Sequence, residues 1–315
     1  MSMTRIFTKS TLGIAARGLW ERSLGPFLGK PEDFFRGRPR NRDLDVNAVL
    51  AELERSVVLT PCEDSPVFVL SAGWRSGSTL IQRLVQSSRR IHLWGEPYDH
   101  VGLVQSLLKL ACCDDVVRPP AHFLLNGDQD PFEDRWLANT WPTVPQWFEA
   151  QRTFLQATFK VPERAIGAQW GLKEVRYSIK HARFLQMLFP RARFVLLVRH
   201  PRDTWNSYRE AREWFWEWPN RQIRTPFAFG TMWSTLARSF RTEHQHLRNV
   251  ETFRYEDLGD QGSLDRLERL LTFKINRSLL TKRIGGSQRR SRYTFLEGHR
   301  LRRAVRQELS EWGYD

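Results

Sequence analysis

Apolar residues in this chain gather into short runs that stop abruptly at small or charged residues. Val-Phe-Val-Leu-Ser occupies 67–71, Arg-Phe-Val-Leu-Leu-Val occupies 193–198, and shorter runs lie at 91–94, 168–172 and 252–255. Runs this brief and this apolar fit strands buried on both faces, as in a parallel sheet. Stretches with helical spacing separate them, at 78–88, 101–113, 146–159 and 226–247, with one more at 46–56. Alternating strand and helix predicts an α/β fold with a parallel sheet flanked by helices. Pro, Gly, Asp and Asn cluster over 114–145, which reads as an inserted loop region. The expected organisation is an N-terminal extension over 1–64, partly helical, followed by a single domain over 65–315 with no internal repeat.

The first strand leads into Ser-Ala-Gly-Trp-Arg-Ser-Gly-Ser-Thr-Leu, residues 71–80. Strand, small-residue loop and helix start in this order form a P-loop-like cradle for an anion. Backbone N–H groups point inward and the helix dipole adds partial positive charge. Gly73 and Gly77 permit the tight turn, Ser76, Ser78 and Thr79 offer hydroxyls, and Arg75 offers a rigid charged fork. A nucleoside triphosphatase loop carries Lys directly after its second glycine. Here Ser78 follows Gly77, and the cation, Arg75, precedes it.

The run at 193–198 enters Arg199-His-Pro-Arg-Asp-Thr-Trp-Asn-Ser207. Pro201 suits a helix start and Asp203 its first turn. Arg199 at the strand end and Ser207, about one and a half turns into the helix, can converge on one phosphate.

Taken in order, these two motifs resemble the 5′-phosphosulfate loop and the 3′-phosphate motif of sulfotransferases that use 3′-phosphoadenosine-5′-phosphosulfate (PAPS). Trp170-Gly-Leu-Lys-Glu174, Phe253-Arg-Tyr-Glu-Asp-Leu258 and the terminal Glu308-Leu-Ser-Glu-Trp-Gly-Tyr-Asp315 extend the resemblance over roughly 65–315. The style is similar to bacterial, carbohydrate and tyrosylprotein sulfotransferases; the cytosolic small-phenol enzymes usually carry Lys where Arg75 stands. The resemblance implies metal-independent transfer of a sulfuryl group from PAPS to a hydroxyl, in a carbohydrate or a tyrosine. It makes Arg75, Ser76, Gly77, Ser78, Thr79, Arg199, Ser207 and Tyr255 the expected donor-binding residues. Arg283-Ile-Gly-Gly-Ser287 is a weaker match to a late donor loop, because the Arg-Lys-Gly pattern is absent.

In-line sulfuryl transfer needs oriented cations and donors around developing charge. Arg75 is expected on the leaving 5′-phosphate side. Lys173 either contacts the sulfate or bridging oxygen, or forms an ion pair with Glu174 or Glu96. Glu96, in Trp94-Gly-Glu-Pro-Tyr98 just past a strand end, is the expected general base, with His100 in reserve. Tyr255 either stacks near adenine or reaches a phosphate, or serves as a strand-end core residue. Trp205, Trp214, Trp216 and Trp218 line an acceptor or anchor a loop, and 213–224 is expected to act as a lid.

The formal charge of +14 favours acidic ligands without identifying one. Basic clusters at Arg289-Arg-Ser-Arg292 and Arg300-Leu-Arg-Arg303 keep a nucleic-acid-binding protein open as a rival, although no zinc finger or RNA-recognition motif accompanies them. A phosphotransferase is the rival enzyme, disfavoured by the missing loop lysine. Cys62, Cys112 and Cys113 make neither a disulfide framework nor a metal-spaced set, and the histidines are scattered. No run approaches the ~20 apolar residues of a membrane span. A cytoplasmic, bacterial-type soluble enzyme is expected, with peripheral membrane contact by the basic N-terminus left open.

Overall fold

The computed structural model describes residues 45–96, 102–112, 141–161, 169–210, 223–280 and 294–314. The chain divides into Met1–Leu44 and Asp45–Asp315, and everything below concerns the second unit. Its strands are β1 (Val67–Ser71), β2 (Ile91–Trp94), β3 (Gln169–Glu174), β4 (Arg193–Val198) and β5 (Val250–Arg254). They form one sheet in the order β2-β3-β1-β4-β5, and every neighbouring pair is parallel. The helices are α1 (Val46–Ser56), α2 (Ser78–Gln86), α3 (Leu103–Ala111), α4 (Val144–Thr158), α5 (Ile179–Leu188), α6 (Pro201–Glu210), α7 (Pro226–Glu243), α8 (Gln261–Leu271) and α9 (Phe295–Glu311). This is the α/β, P-loop-like arrangement the apolar runs predict.

Several boundaries differ from the sequence reading for physical reasons. β3 continues past Leu172 through Lys173 and Glu174, which pair in register with Val69 and Leu70. Charge ends an apolar run, but backbone hydrogen bonding to a central strand does not stop there. β5 ends at Arg254, and Tyr255 opens a 3-10 turn through Gly259. α7 stops at Glu243 and tightens into a 3-10 turn over His244–His246. α4 begins inside the stretch assigned to the inserted loop, where Thr143 and Gln146 form a capping box and a proline occupies the first turn. Residues 114–140 of that stretch lie outside the described residues.

Alternation along β1 divides the core. Val67 and Val69 join Ile81, Leu84, Leu264 and Leu267 under α2 and α8. On the opposite side Phe68 stacks on Phe194 at 5.4 Å and meets Trp170 edge-on at 5.9 Å. Trp170 in turn stacks on Phe159. At the amino edge, the buried Arg193 guanidinium donates to Leu271 O, Thr272 Oγ1 (3.1 Å), Ser65 O (3.2 Å) and Gln169 Oε1 (3.0 Å). Those bonds replace the hydration lost on burial and sew β3, β4 and the end of α8 together. α1 is held to α5 by the bidentate pair of Arg183 with Glu54, at 2.9 and 2.7 Å.

Gly171 is the tightest point of the sheet: a Cβ there would lie 2.1 Å from Val67 O and 2.6 Å from Leu93 Cδ1. The obstacle is backbone of the central strand and cannot swing aside. Gly171→Ala is therefore expected to cost about 3 kcal/mol, read as a lowered urea midpoint at unchanged m-value.

Candidate active site

The carboxyl ends of β1 and β4 diverge into α2 and α6, which cover opposite faces of the sheet. Such a divergence opens a crevice at the strand ends. The β1 loop enters it through three residues with positive φ: Gly73 (92°), Arg75 (62°) and Gly77 (93°). Left-handed residues interleaved with ordinary ones curl the backbone into an anion-sized concavity. Gly77 caps α2 with no side-chain bond to the first-turn N–H groups; Leu80 N donates to Gly77 O at 2.9 Å, which leaves those of Ser78 and Thr79 for a ligand. Arg75 is the informative outlier, since a non-glycine residue in this region is strained and such strain gathers at functional sites.

Five of the expected donor-binding residues meet here. Arg75 Nε donates to Ser207 Oγ at 3.1 Å, and Arg199 Nη1 donates to the Arg75 carbonyl at 3.0 Å. The Arg199 guanidinium lies 4.5 Å from the centroid of the Tyr255 ring. That ring covers Gly77 so closely that a Cβ there would stand 2.1 Å from Tyr255 Cδ2. The 3-10 turn that follows β5 thus presses Tyr255 onto the first loop. Ser76 and Ser78 are buried, whereas Thr79 and Arg75 are exposed. The buried Ser76 Oγ and Arg199 Nε have no hydrogen-bond partner. Orphaned donors beside open helix N–H groups fit a phosphate-bearing ligand such as PAPS. An open cavity of about 260 Å³ adjoins them, with Leu80, Leu258 and Leu280 as apolar walls and Arg199, Asp203 and Tyr255 among its polar lining.

A second cluster stands one and two strands away. Gly73 N donates to Val175 O at 3.1 Å, tying the loop to the end of β3. There Lys173 Nζ is hydrogen bonded to a carboxylate oxygen of Glu96, just beyond β2. The pairing of Lys173 is thus with Glu96, not Glu174. Glu174 is almost completely buried, accepts from Val175 N at 3.4 Å and lies 3.7 Å from Arg176 Nη2. Burial, reinforced by the charge of Glu96, pushes its carboxyl up to about 8; the Val175 N–H and Lys173 oppose that rise. Tyr177 beside it is raised for the same first cause, burial, and then by the charge of Glu174.

The sequence reading gave Glu256, Tyr314 and Trp233 no role, and Glu174 none beyond pairing with Lys173. Glu256 accepts from His200 N at 2.9 Å and from Tyr314 OH at 2.7 Å. It thereby joins the end of β4 to the chain's final turn. Burial, then this bond, holds the Tyr314 phenol well above the usual tyrosine range. Trp233 Nε1 donates to Arg199 O at 3.0 Å, a contact from the middle of α7 that no local pattern announces. Trp205 is buried and its ring lies 5.4 Å from that of Phe229. Arg209 pairs with Glu297. His100, Trp214, Trp216, Trp218, the Arg283–Ser287 loop and most of the expected lid lie outside the described residues.

The sequence matches the model of the sulfotransferase family over residues 66–273. Among solved structures, it resembles a sulfotransferase from Alicyclobacillus acidocaldarius at 14% identity and TM-score 0.40, covering 78% of this chain and 98% of that one. The sulfotransferase domain of the Synechococcus PCC 7002 olefin synthase matches at 16% identity and TM-score 0.44, over 82% of this chain and 99% of the other. A mouse sulfotransferase complexed with PAP matches at 14% identity and TM-score 0.36, over 84% and 70%. No curated protein matches the sequence.

Burial raises the Glu174 carboxyl from its ordinary 4.5 to about 8, so between about pH 5 and 8 the folded state binds the proton more tightly than the unfolded chain. Stability from this group is therefore lost as pH rises through that window. Relative to wild type, Glu174→Gln is expected to gain stability with a slope of up to ~1.4 kcal/mol per pH unit, measured by urea unfolding from pH 5 to 8.

Proposed function

The chain belongs to the sulfotransferase family, and on that premise we propose that it transfers a sulfuryl group from PAPS to a hydroxyl of a carbohydrate or a tyrosine. The observation that carries the reading is the junction of Arg75, Ser207, Arg199 and Tyr255 around Gly77. Two motifs more than a hundred residues apart meet at one crevice, with buried donors left unpaired. Arg199 and Ser207 hold the 3′-phosphate. Gly77, through its backbone, and Ser76, Ser78 and Thr79 hold the 5′ side. Tyr255 and the apolar walls of the cavity take the adenosine. The catalytic domain in this reading spans 65–315, preceded by the extension over 1–64.

PAPS supplies the sulfuryl group, and the chain's residues orient and neutralise. Glu96 accepts the proton of the acceptor hydroxyl as its oxygen bonds to sulfur. The bond from sulfur to the 5′-phosphate oxygen breaks, and Arg75 and the α2 N–H groups receive the charge that develops there. Lys173, hydrogen bonded to Glu96, orients that carboxylate and stands ready for the sulfuryl oxygens. No metal enters this scheme. The three cysteines fit a reducing compartment, and we assign the enzyme to the cytoplasm. Among the described residues no helix is long and apolar enough to cross a membrane.

A thermal-shift panel of PAPS, its desulfated product, ATP and RNA tests the donor. The two adenosine bisphosphate ligands are expected to raise Tm; protection by ATP or RNA alone would reject the assignment. Arg199→Ala is expected to raise the KM for PAPS about ten- to a hundredfold, the worth of charged hydrogen bonds. Gly77→Ala must displace Tyr255, and its loss of donor affinity should appear without loss of fold. Glu96→Gln is expected to lower kcat by about 10²–10⁴ and to remove the acidic limb of the pH–rate profile. If His100→Ala does so while Glu96→Gln does not, histidine is the base.

A further inference from the structure

α7 and α9 lie side by side and parallel. Gly230 faces Leu301, Ala304 and Val305, Ser234 Oγ donates to Ala304 O at 2.9 Å, and Arg238 and Arg241 bind the buried Glu308. Arg241 also reaches Glu311, and Arg209 of α6 takes Glu297. Every carboxylate of α9 is therefore held by an arginine of another helix. Leu301 and Val305 mark its buried side.

The opposite side combines apolar and basic side chains. At 3.6 residues per turn, Phe295, Leu296, His299, Arg302, Arg303 and Arg306 fall within an arc of about 120°. Arg300 borders the arc, and all seven side chains are exposed. None of the four arginines has a carboxylate partner among the described residues. Phe295 is 88% exposed and Leu296 66%. Because the helices run parallel, Phe227 in the first turn of α7, 48% exposed, stands at the same end. Phe295 and Leu296 thus form an apolar tip at the partially positive N-terminus of α9, with Phe227 exposed at the same end of the helix pair, and a row of arginines extends back along α9 for roughly 16 Å.

We propose that this face of α9, with its apolar tip, docks on the surface of an anionic phospholipid bilayer. Charge complementarity selects an anion, and the arrangement of apolar groups selects a bilayer. A linear polyanion would engage the arginines, and nucleic-acid bases can stack on the phenylalanines, but the aliphatic Leu296 would be left in water. A headgroup layer engages both: the guanidinium groups meet lipid phosphates while the apolar tip enters the acyl boundary. The +14 charge of the chain strengthens the attraction at a distance, and α9 concentrates it on arginines that no carboxylate among the described residues pairs with.

The test is co-sedimentation of the full chain with vesicles of phosphatidylcholine alone or with about one-third phosphatidylserine. Binding is expected only to the anionic vesicles and should weaken as salt rises. Arg302→Glu/Arg303→Glu/Arg306→Glu should weaken it on the order of a hundredfold, and Arg302→Lys/Arg303→Lys/Arg306→Lys should retain it. Phe295→Ser/Leu296→Ser should weaken it on the order of tenfold while leaving retention on polyuridylate unchanged. All the substituted positions are exposed, and unchanged far-UV circular dichroism and Tm verify folding. Absence of binding to anionic vesicles overturns the proposal. So does binding that survives arginine reversal, which assigns it to another segment. Loss on arginine reversal with no effect of the apolar pair assigns the face to a polyanion instead.

Discussion

The hydrogen bond from the Arg199 side chain to the carbonyl of Arg75 holds the site together. It joins the ends of two neighbouring parallel strands at the point where their chains part to opposite faces of the sheet. The bond uses one nitrogen of the guanidinium, whose face also lies over Tyr255, and the Tyr255 ring in turn covers Gly77. One side chain therefore fixes a loop, an aromatic wall and a strand end at once. Its own backbone is held by Trp233 through the Arg199 carbonyl. The strained φ at Arg75 survives because this surround over-determines it.

Around that junction the protein uses arginine in two ways. Arg193, Arg183 and Arg241 are internal clasps, each spending its fork on carbonyls or carboxylates that bind separate elements together. Arg75 and Arg199 turn theirs toward a crevice, and the α9 arginines face solvent. Net charge alone cannot distinguish these uses. Burial and the partner list do, because a guanidinium taken from water must replace its hydration with fixed acceptors. The carboxylates divide similarly. Glu256 and Glu308 are tethers, Glu96 is paired with Lys173, and Glu174 is buried enough to hold a proton into neutral pH.

Much of this was legible along the chain, and the reason is local. Val67–Ser71 and Arg193–Val198 are short and apolar throughout, which only a doubly covered strand needs, and the loops after them carry the glycine, serine and arginine an anion demands. What was missed is mostly long-range. Glu174 stood only as one of two ion-pair partners for Lys173, and its burial follows from β3 running two residues past its apolar stretch. Glu256 stood inside the Tyr-Glu-Asp-Leu run, and Tyr314 inside the final Gly-Tyr. Neither position says that the two side chains bond to each other across 58 residues. Trp233 offered no signal beyond helical spacing.

By itself the sequence determined the parallel α/β class, the order of the two serine- and arginine-bearing motifs and the excess of positive charge. Each follows from periodicity or composition within a few residues, where steric and hydration rules act without knowledge of the fold. The tertiary structure alone decided which cation pairs with which carboxylate and, among the described residues, which donors are left unsatisfied and which helix face carries arginines with no carboxylate partner. Those outcomes depend on distances between segments remote in the chain, and Coulomb and hydrogen-bond energies are set by separation in space and by the water excluded there.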